Sequence, residues 1–132
     1  MWGTTGIGYN VNKIKERMPD APIGSWDMIF KPEVVAKFKD CGVTMLDAPA
    51  EVFPSGLRYL GLPTASQTED NLKQVEKLVM GVRPNIKYFH SSQYINDLAN
   101  GEVCMVLGWS GDVFIARVFF FKQKTAYEIA YF

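Results

Sequence analysis

What this sequence lacks narrows it before any motif is read. No apolar run approaches the roughly 20 residues that cross a bilayer, so membrane insertion is not expected. Charge has no bias: 14 Lys and Arg face 14 Asp and Glu, interleaved along the chain. Without a basic stripe to neutralise a phosphate backbone, nucleic acid is not an expected partner. Histidine is nearly absent. His90 stands alone, which excludes multi-histidine metal sites and leaves a histidine-based triad one candidate base. Cysteine is scarce too: Cys41 and Cys104 lie 63 positions apart with no CxxC pair, so zinc-site spacing is missing. The two can be buried free thiols, or a disulfide in an oxidising compartment, where closing that loop restricts the unfolded chain by about 4 kcal/mol. The first residues carry no basic segment followed by an apolar stretch, so no signal peptide is read there. By itself that points to the cytoplasm.

What is present is a globular composition. A chain of 132 residues, 48% of them hydrophobic, can build one core without a metal or disulfide. Residues 4–9 are β-branched, Gly-spaced and aromatic, a strand from which Asn10 can cap a short helix over 11–17. Residues 18–24 hold two prolines and a glycine and read as loop. Ser25 can cap a turn carrying Trp26, and Pro32 suits the first position of a helix ending near Gly42. A short buried strand is expected over 43–46, then weak helix over 51–60, interrupted by Pro54 and Gly56, and loop over 61–68. Leu72, Val75, Leu78, Val79 and Val82 recur at helical spacing among charged residues, the clearest helix in the chain. A strand over 86–89, a helix capped by Ser92 and ended by Asn100-Gly101, and the most apolar run, 103–108, complete the pattern. Alternating strands and helices of these lengths predict an α/β fold, a central, largely parallel sheet flanked by helices.

Chemistry-bearing residues gather after the predicted strands, where open α/β sheets place ligands. Gly108-Trp109-Ser110-Gly111-Asp112 follows the apolar strand and is not GxSxG, since Trp109 holds the second place. An indole face with a carboxylate nearby suits an alkylammonium ion, through cation–π attraction and a charge-assisted hydrogen bond; a core Trp and a capping Asp would read the same. Asp47 and Glu51 follow the 43–46 strand and can share that rim, or serve the next helix as cap and dipole partner. Gly3, Gly6 and Gly8 form GxxGxG, neither dinucleotide fingerprint nor P-loop. An enzyme alternative uses His90 with Ser91 or Asp112 in a small-molecule transferase or hydrolase.

From Val118 the character changes. Phe119-Phe120-Phe121 precedes Lys122-Gln123-Lys124-Thr125-Ala126-Tyr127-Glu128-Ile129, with no periodicity continuing the preceding segment. The run 122–129 resembles the translation of a common short-read sequencing adapter, and a phenylalanine triplet is what a run of T encodes. Residues 118–132 are therefore expected to be an artefact tail. Without Lys122, Lys124 and Glu128 the net charge moves from zero to minus one.

Six segments in order, from Met1-Trp2-Gly3-Thr4-Thr5-Gly6-Ile7-Gly8-Tyr9-Asn10 through Ser25-Trp26-Asp27, Asp40-Cys41-Gly42-Val43, Tyr88-Phe89-His90-Ser91-Ser92 and Tyr94-Ile95-Asn96-Asp97-Leu98-Ala99-Asn100-Gly101 to Gly108-Trp109-Ser110-Gly111-Asp112-Val113, resemble the bacterial periplasmic polyamine-binding proteins, putrescine-binding branch. The resemblance implies one lobe of a two-lobed, Venus-flytrap-like type II binding protein: residues 1–117 as most of the second lobe, truncated at both ends. It implies a non-enzymatic substrate-binding component of an ABC transporter, with a putrescine-like ligand, permease subunits as partners, a monomer, no cofactor and no metal. It places the parent protein in the periplasm, the missing signal peptide then marking truncation. Residue by residue, it implies that Glu51 and Asp112 bind ammonium groups, Trp109 packs on the methylene chain and Ser91 lines the pocket. Ala48 stands where spermidine-preferring relatives can carry an acid, which leans towards the shorter diamine. Cys41 and Cys104 match a pair that forms a disulfide in this branch. The 61–70 loop and Pro54 depart from the family pattern.

Overall fold

The structure, a computed structural model, describes residues 4–122 and 129–132. Met1, Trp2 and Gly3 of the first motif, and 123–128 of the adapter-like run, lie outside the described residues. The chain begins with β1 (Thr5–Asn10) and α1 (Val11–Arg17). Asn10 closes the strand and opens the helix, its Oδ1 accepting from the Lys13 amide at 3.1 Å. Two short helices follow, α2 (Asp27–Phe30) and α3 (Pro32–Val35), with a 3-10 turn over Ala36–Phe38. Ser25 Oγ accepts from the Asp27 amide at 3.1 Å, and Pro32 takes the first position of α3, where its missing N–H costs nothing.

Strand β2 (Val43–Met45) leads into α4 (Pro49–Tyr59) and α5 (Glu69–Val82). The α4 helix starts earlier than the sequence predicts, with Pro49 in its first turn, and runs through Pro54. Gly56 explains its fit: a Cβ there would stand 2.7 Å from Val75 Cγ1 of α5, so the bare glycine sets the approach of the two helices. The clear periodicity of α5 is realised with Val75 and Val82 buried and Thr68 capping its start. Strand β3 (Tyr88–Phe89), α6 (Gln93–Asn100), β4 (Met105–Trp109), α7 (Ser110–Lys122) and β5 (Ile129–Tyr131) complete the order. Gly101 ends α6 in the left-handed conformation, φ 79°.

One local expectation is corrected here. Ser92 occupies the N-cap position of α6, yet its side chain caps nothing. The work is done by His90, whose Nδ1 accepts from the amides of Ser92 at 3.1 Å and Gln93 at 2.9 Å. The ring reaches the orphan donors of the first turn from two residues further back.

The five strands lie in the order β3-β2-β4-β1-β5. β2 pairs parallel with β3 and with β4, while β1 pairs antiparallel with β4 and with β5. The sheet is therefore mixed. Four strands share one direction, and β1 alone is reversed, which turns both of its ladders antiparallel. The parallel part follows from helical crossovers: α4 and α5 between β2 and β3, and α6 between β3 and β4. On both faces the core fills with Ile7, Ile14, Phe30, Phe38, Met45, Leu98 and Leu107, all essentially without exposure. The expected boundary after Arg117 falls inside α7, and β5 packs the buried Ile129 against the core.

Cys41 and Cys104 form a disulfide, Cα atoms 5.5 Å apart, that ties the turn before β2 to the start of β4. It bridges the two central parallel strands at the end opposite the carboxyl rim. The bond is buried, with Cys41 only 6% exposed. Elsewhere Tyr59 packs its ring on Phe30 at 5.4 Å and donates its hydroxyl to Asp27 Oδ1 at 2.7 Å, joining α4 to α2.

Replacing Cys41 and Cys104 with alanine should lower stability by about 4 kcal/mol, the chain-entropy value for a loop of this length, in urea denaturation; an unchanged midpoint would show that the bond contributes nothing. Burial first, and the Asp27 carboxylate second, push the Tyr59 phenol from 10.0 up to about 12. The folded state thus favours the protonated phenol, so its stabilisation is complete below pH 10 and lost as pH rises through about 12. Stability measured against pH should accordingly fall less steeply in Tyr59→Phe than in the wild type across that window.

Candidate functional site

The reversed direction of β1 decides what meets at the rim. Its first residue, Thr5, is in register with Trp109, the last residue of β4. The amino end of β1 therefore lies at the same edge as the carboxyl ends of β2, β3 and β4. Glu51 stands in the first turn of α4 just after β2, Ser91 in the bend after β3, and Asp112 in the first turn of α7 just after β4. All four candidates share one edge of the sheet.

Two hydroxyls hold the two carboxylates. Thr5 Oγ1 donates to Glu51 Oε2 in a short hydrogen bond. Tyr94, fully buried on α6, donates its hydroxyl to Asp112 Oδ2 at 2.7 Å and accepts from the Trp109 amide at 3.2 Å. The two bonds are joined through the Thr5–Trp109 pairing, so Glu51, Thr5, Trp109, Tyr94 and Asp112 form one continuous line across β1 and β4. Ser110 anchors the same corner: its amide donates to Thr4 O at 2.8 Å, and its Oγ accepts from the Thr4 amide at 3.1 Å. Burial first, with the Asp112 carboxylate adding to it, raises the Tyr94 phenol well above the ordinary tyrosine range. It stays a proton donor throughout the neutral range.

Trp109 is half-buried and packs against the core. Glu51 opens on a cleft of about 210 Å³ lined by Thr5, Trp26, Pro54, Ser55, Arg58 and Thr64. Neither Trp109, Asp112 nor Ser91 lines that cleft, and Glu51 makes no direct bond to Asp112. The carboxylates thus stand as two separate stations, Glu51 accepting from Thr5 and Asp112 from Tyr94.

Reading the sequence alone misses Thr5 and Tyr94. A tyrosine on the apolar face of a helix looks like core, and only Gly108 carries a hint. A Cβ on Gly108 would stand 2.7 Å from Tyr94 Cε2 and 2.9 Å from Cζ, so the glycine is there because the ring lies on the strand. The enzyme alternative finds no support. His90 is exposed with Nδ1 committed to the start of α6, and Asp112 is bonded to Tyr94. Among the described residues neither Ser91 nor Asp112 hydrogen-bonds the imidazole, so no nucleophile–base pair is formed.

With this geometry in view, the likenesses are specific. No protein-family model matches the chain. It is 55% identical over 118 residues to the putrescine-binding periplasmic protein PotF of Escherichia coli strain K12, which takes in 88% of this chain and 32% of that protein. It is 50% identical, again over 118 residues, to the putrescine-binding periplasmic protein SpuD of Pseudomonas aeruginosa strain UCBPP-PA14, with 89% and 32% covered. The chain belongs to the periplasmic polyamine-binding proteins. It spans about a third of the length of the curated relatives it matches.

Among solved structures, the spermidine/putrescine ABC transporter substrate-binding protein PotD of Streptococcus pneumoniae superposes with a TM-score of 0.74 at 25% identity, over 98% of this chain and 35% of that one. The family's fold, one lobe of a type II binding protein, is thus the fold described above. Family members are named for binding and transport rather than for a reaction, and among the described residues no helix is long and apolar enough to cross a membrane.

Gly108→Ala should cost about 1–3 kcal/mol, because the added methyl forces the Tyr94 ring off the strand. Gly111→Ala, in open space on α7, should be neutral or stabilise by up to about 1 kcal/mol. Urea midpoints for both variants check this, and equal shifts would remove the close-contact explanation.

Proposed function

We propose that this chain supplies one half of the binding cleft of a periplasmic carrier that delivers a putrescine-like diamine to the permease subunits of an ABC transporter. The observation that carries the reading is the rim itself, where Glu51 and Asp112, each braced by a hydroxyl, flank the supports of Trp109. In this reading the two carboxylates each take an ammonium group through charge-assisted hydrogen bonds. Trp109 covers the methylene chain, giving its π-face and apolar area to a ligand that has little else to bury. Ser91 adds a polar contact to the pocket wall. Ala48, at the head of α4, adds no third carboxylate, which fits a diamine better than a longer polyamine.

Residues 1–117 act as most of the second lobe, and a first lobe closes over the ligand. The names of the relatives and the Cys41–Cys104 disulfide support a periplasmic setting. The carrier works as a monomer and makes no covalent bond to its cargo. We read residues 118–132 as foreign to this lobe, on the likeness of 122–129 to a translated adapter; the genomic reading frame downstream of Arg117 tests that directly.

A single lobe leaves one side of the ligand in water, where ion pairs are screened and contribute little. Calorimetry of this chain should therefore give a putrescine Kd weaker than about 1 mM. The intact two-lobed protein should bind tightly and lose about tenfold or more on either Glu51→Gln or Asp112→Asn. Submillimolar binding by the chain alone would overturn the half-site reading, and an intact protein indifferent to putrescine would overturn the carrier.

A further inference from the structure

We infer that Tyr94 is the positioning residue of the Asp112 ammonium station, presetting its geometry before any ligand arrives. The inference rests on the diamine reading above and gives a role in positioning to the hydroxyl that braces Asp112 there. Its starting point is a mismatch in strand length. β2 pairs with β4 only as far as Leu107, so the Trp109 amide, two residues further on, has run past the end of the parallel ladder. A buried backbone donor without a partner is costly. The Tyr94 hydroxyl, arriving from α6, takes that donor at 3.2 Å.

This bond fixes the direction of the next one. A phenol has one proton to give and lone pairs to receive. With the Trp109 amide pointing at its oxygen, Tyr94 turns its proton to Asp112 Oδ2 at 2.7 Å. The raised phenol keeps that proton in place across the neutral range. The carboxylate is held through one oxygen, which leaves Oδ1 for a cation. The ring cannot drift, since Tyr94 is fully buried and rests directly on Gly108. One side chain thus couples the height of the strand end that carries the indole to the rotamer of the carboxylate beside it. Holding both groups still in the free protein removes an ordering cost from binding.

A structural role alone would be served by the ring, which Tyr94→Phe retains. The test uses the ¹⁵N-labelled chain and putrescine in the tens of millimolar, read at the Trp109 indole and backbone amide signals. In the wild type both move with ligand. In Tyr94→Phe the unliganded Trp109 amide is displaced, and the initial slope of the response falls about tenfold, the equivalent of one hydrogen bond to a charged group.

Asp112→Asn separates the two roles without touching Tyr94. Its carboxamide oxygen still accepts the phenol proton, so the unliganded Trp109 amide keeps its wild-type position while the putrescine response is lost. A wild-type response that survives Tyr94→Phe undiminished would overturn this inference and leave the diamine reading standing. Trp109 signals that ignore putrescine in the wild type would overturn the diamine reading and this inference with it. An Asp112→Asn variant that displaces the unliganded Trp109 amide as far as Tyr94→Phe does would show that the coupling is not carried by the phenol.

Discussion

The antiparallel pairing of β1 with β4 is the constraint on which the rest depends. Thr5 opposite Trp109 and Tyr9 opposite Met105 define that register, and a slip of one residue would turn every side chain of β1 to the other face. Gly6 and Gly8 make the fit close. A Cβ on Gly8 would meet Val113 of α7 at 2.8 Å, and one on Gly6 would meet Tyr131 and Phe132 within 3 Å. The strand is thus held close to α7 on one side and to Tyr131 and the Phe132 backbone on the other. Because β1 runs against its neighbours, its amino end delivers Thr5 to the rim where the other strands end. A fully parallel sheet of the same strands would put Thr5 at the disulfide end and leave Glu51 without its hydroxyl partner.

From that register the site follows by short steps. Each carboxylate stands in the first turn of the helix after its strand and each accepts from a hydroxyl. The hydroxyls come from elements on either side: Thr5 from the reversed strand, Tyr94 from the helix after β3. The carboxylates are thereby oriented by the fold rather than by each other, and two like charges are kept at separate stations. On that arrangement rests the proposal of a ligand with a cation at each end and an apolar middle. The arrangement also leaves the site open on the solvent side, the physical reason weak binding is expected of a single lobe.

Legibility in the sequence divides along physical lines. α5 and β4 were plain because periodicity and apolar runs report burial directly, and Asn10, Pro32 and Gly101 were plain because caps act within three residues. The rim positions of Glu51, Trp109 and Asp112 could be inferred from the order of strands and helices alone, while Ser91 entered as a pocket residue only through the family resemblance. The direction of β1 could not, since a glycine-spaced strand reads the same either way, and only its neighbours decide. Tyr94 was hidden for a related reason: its ring obeys the helical pattern of a core residue, while its hydroxyl serves Trp109 and Asp112 at sequence distances no pattern encodes. His90 took the capping role expected of Ser92 because an imidazole two residues back can reach the same amides. The Cys41–Cys104 bond came from family likeness, and its geometry now shows why it fits, with both cysteines at the starts of adjacent parallel strands.

The central claim is that this rim is the diamine-facing half of a carrier. The most direct measurement is a set of intermolecular proton NOEs between putrescine methylenes and the ¹³C,¹⁵N-labelled chain at saturating ligand. Contacts are expected from the methylenes to the Trp109 ring and to the side chains beside Asp112. NOEs confined to other surfaces, with the Trp109 ring silent, would contradict it.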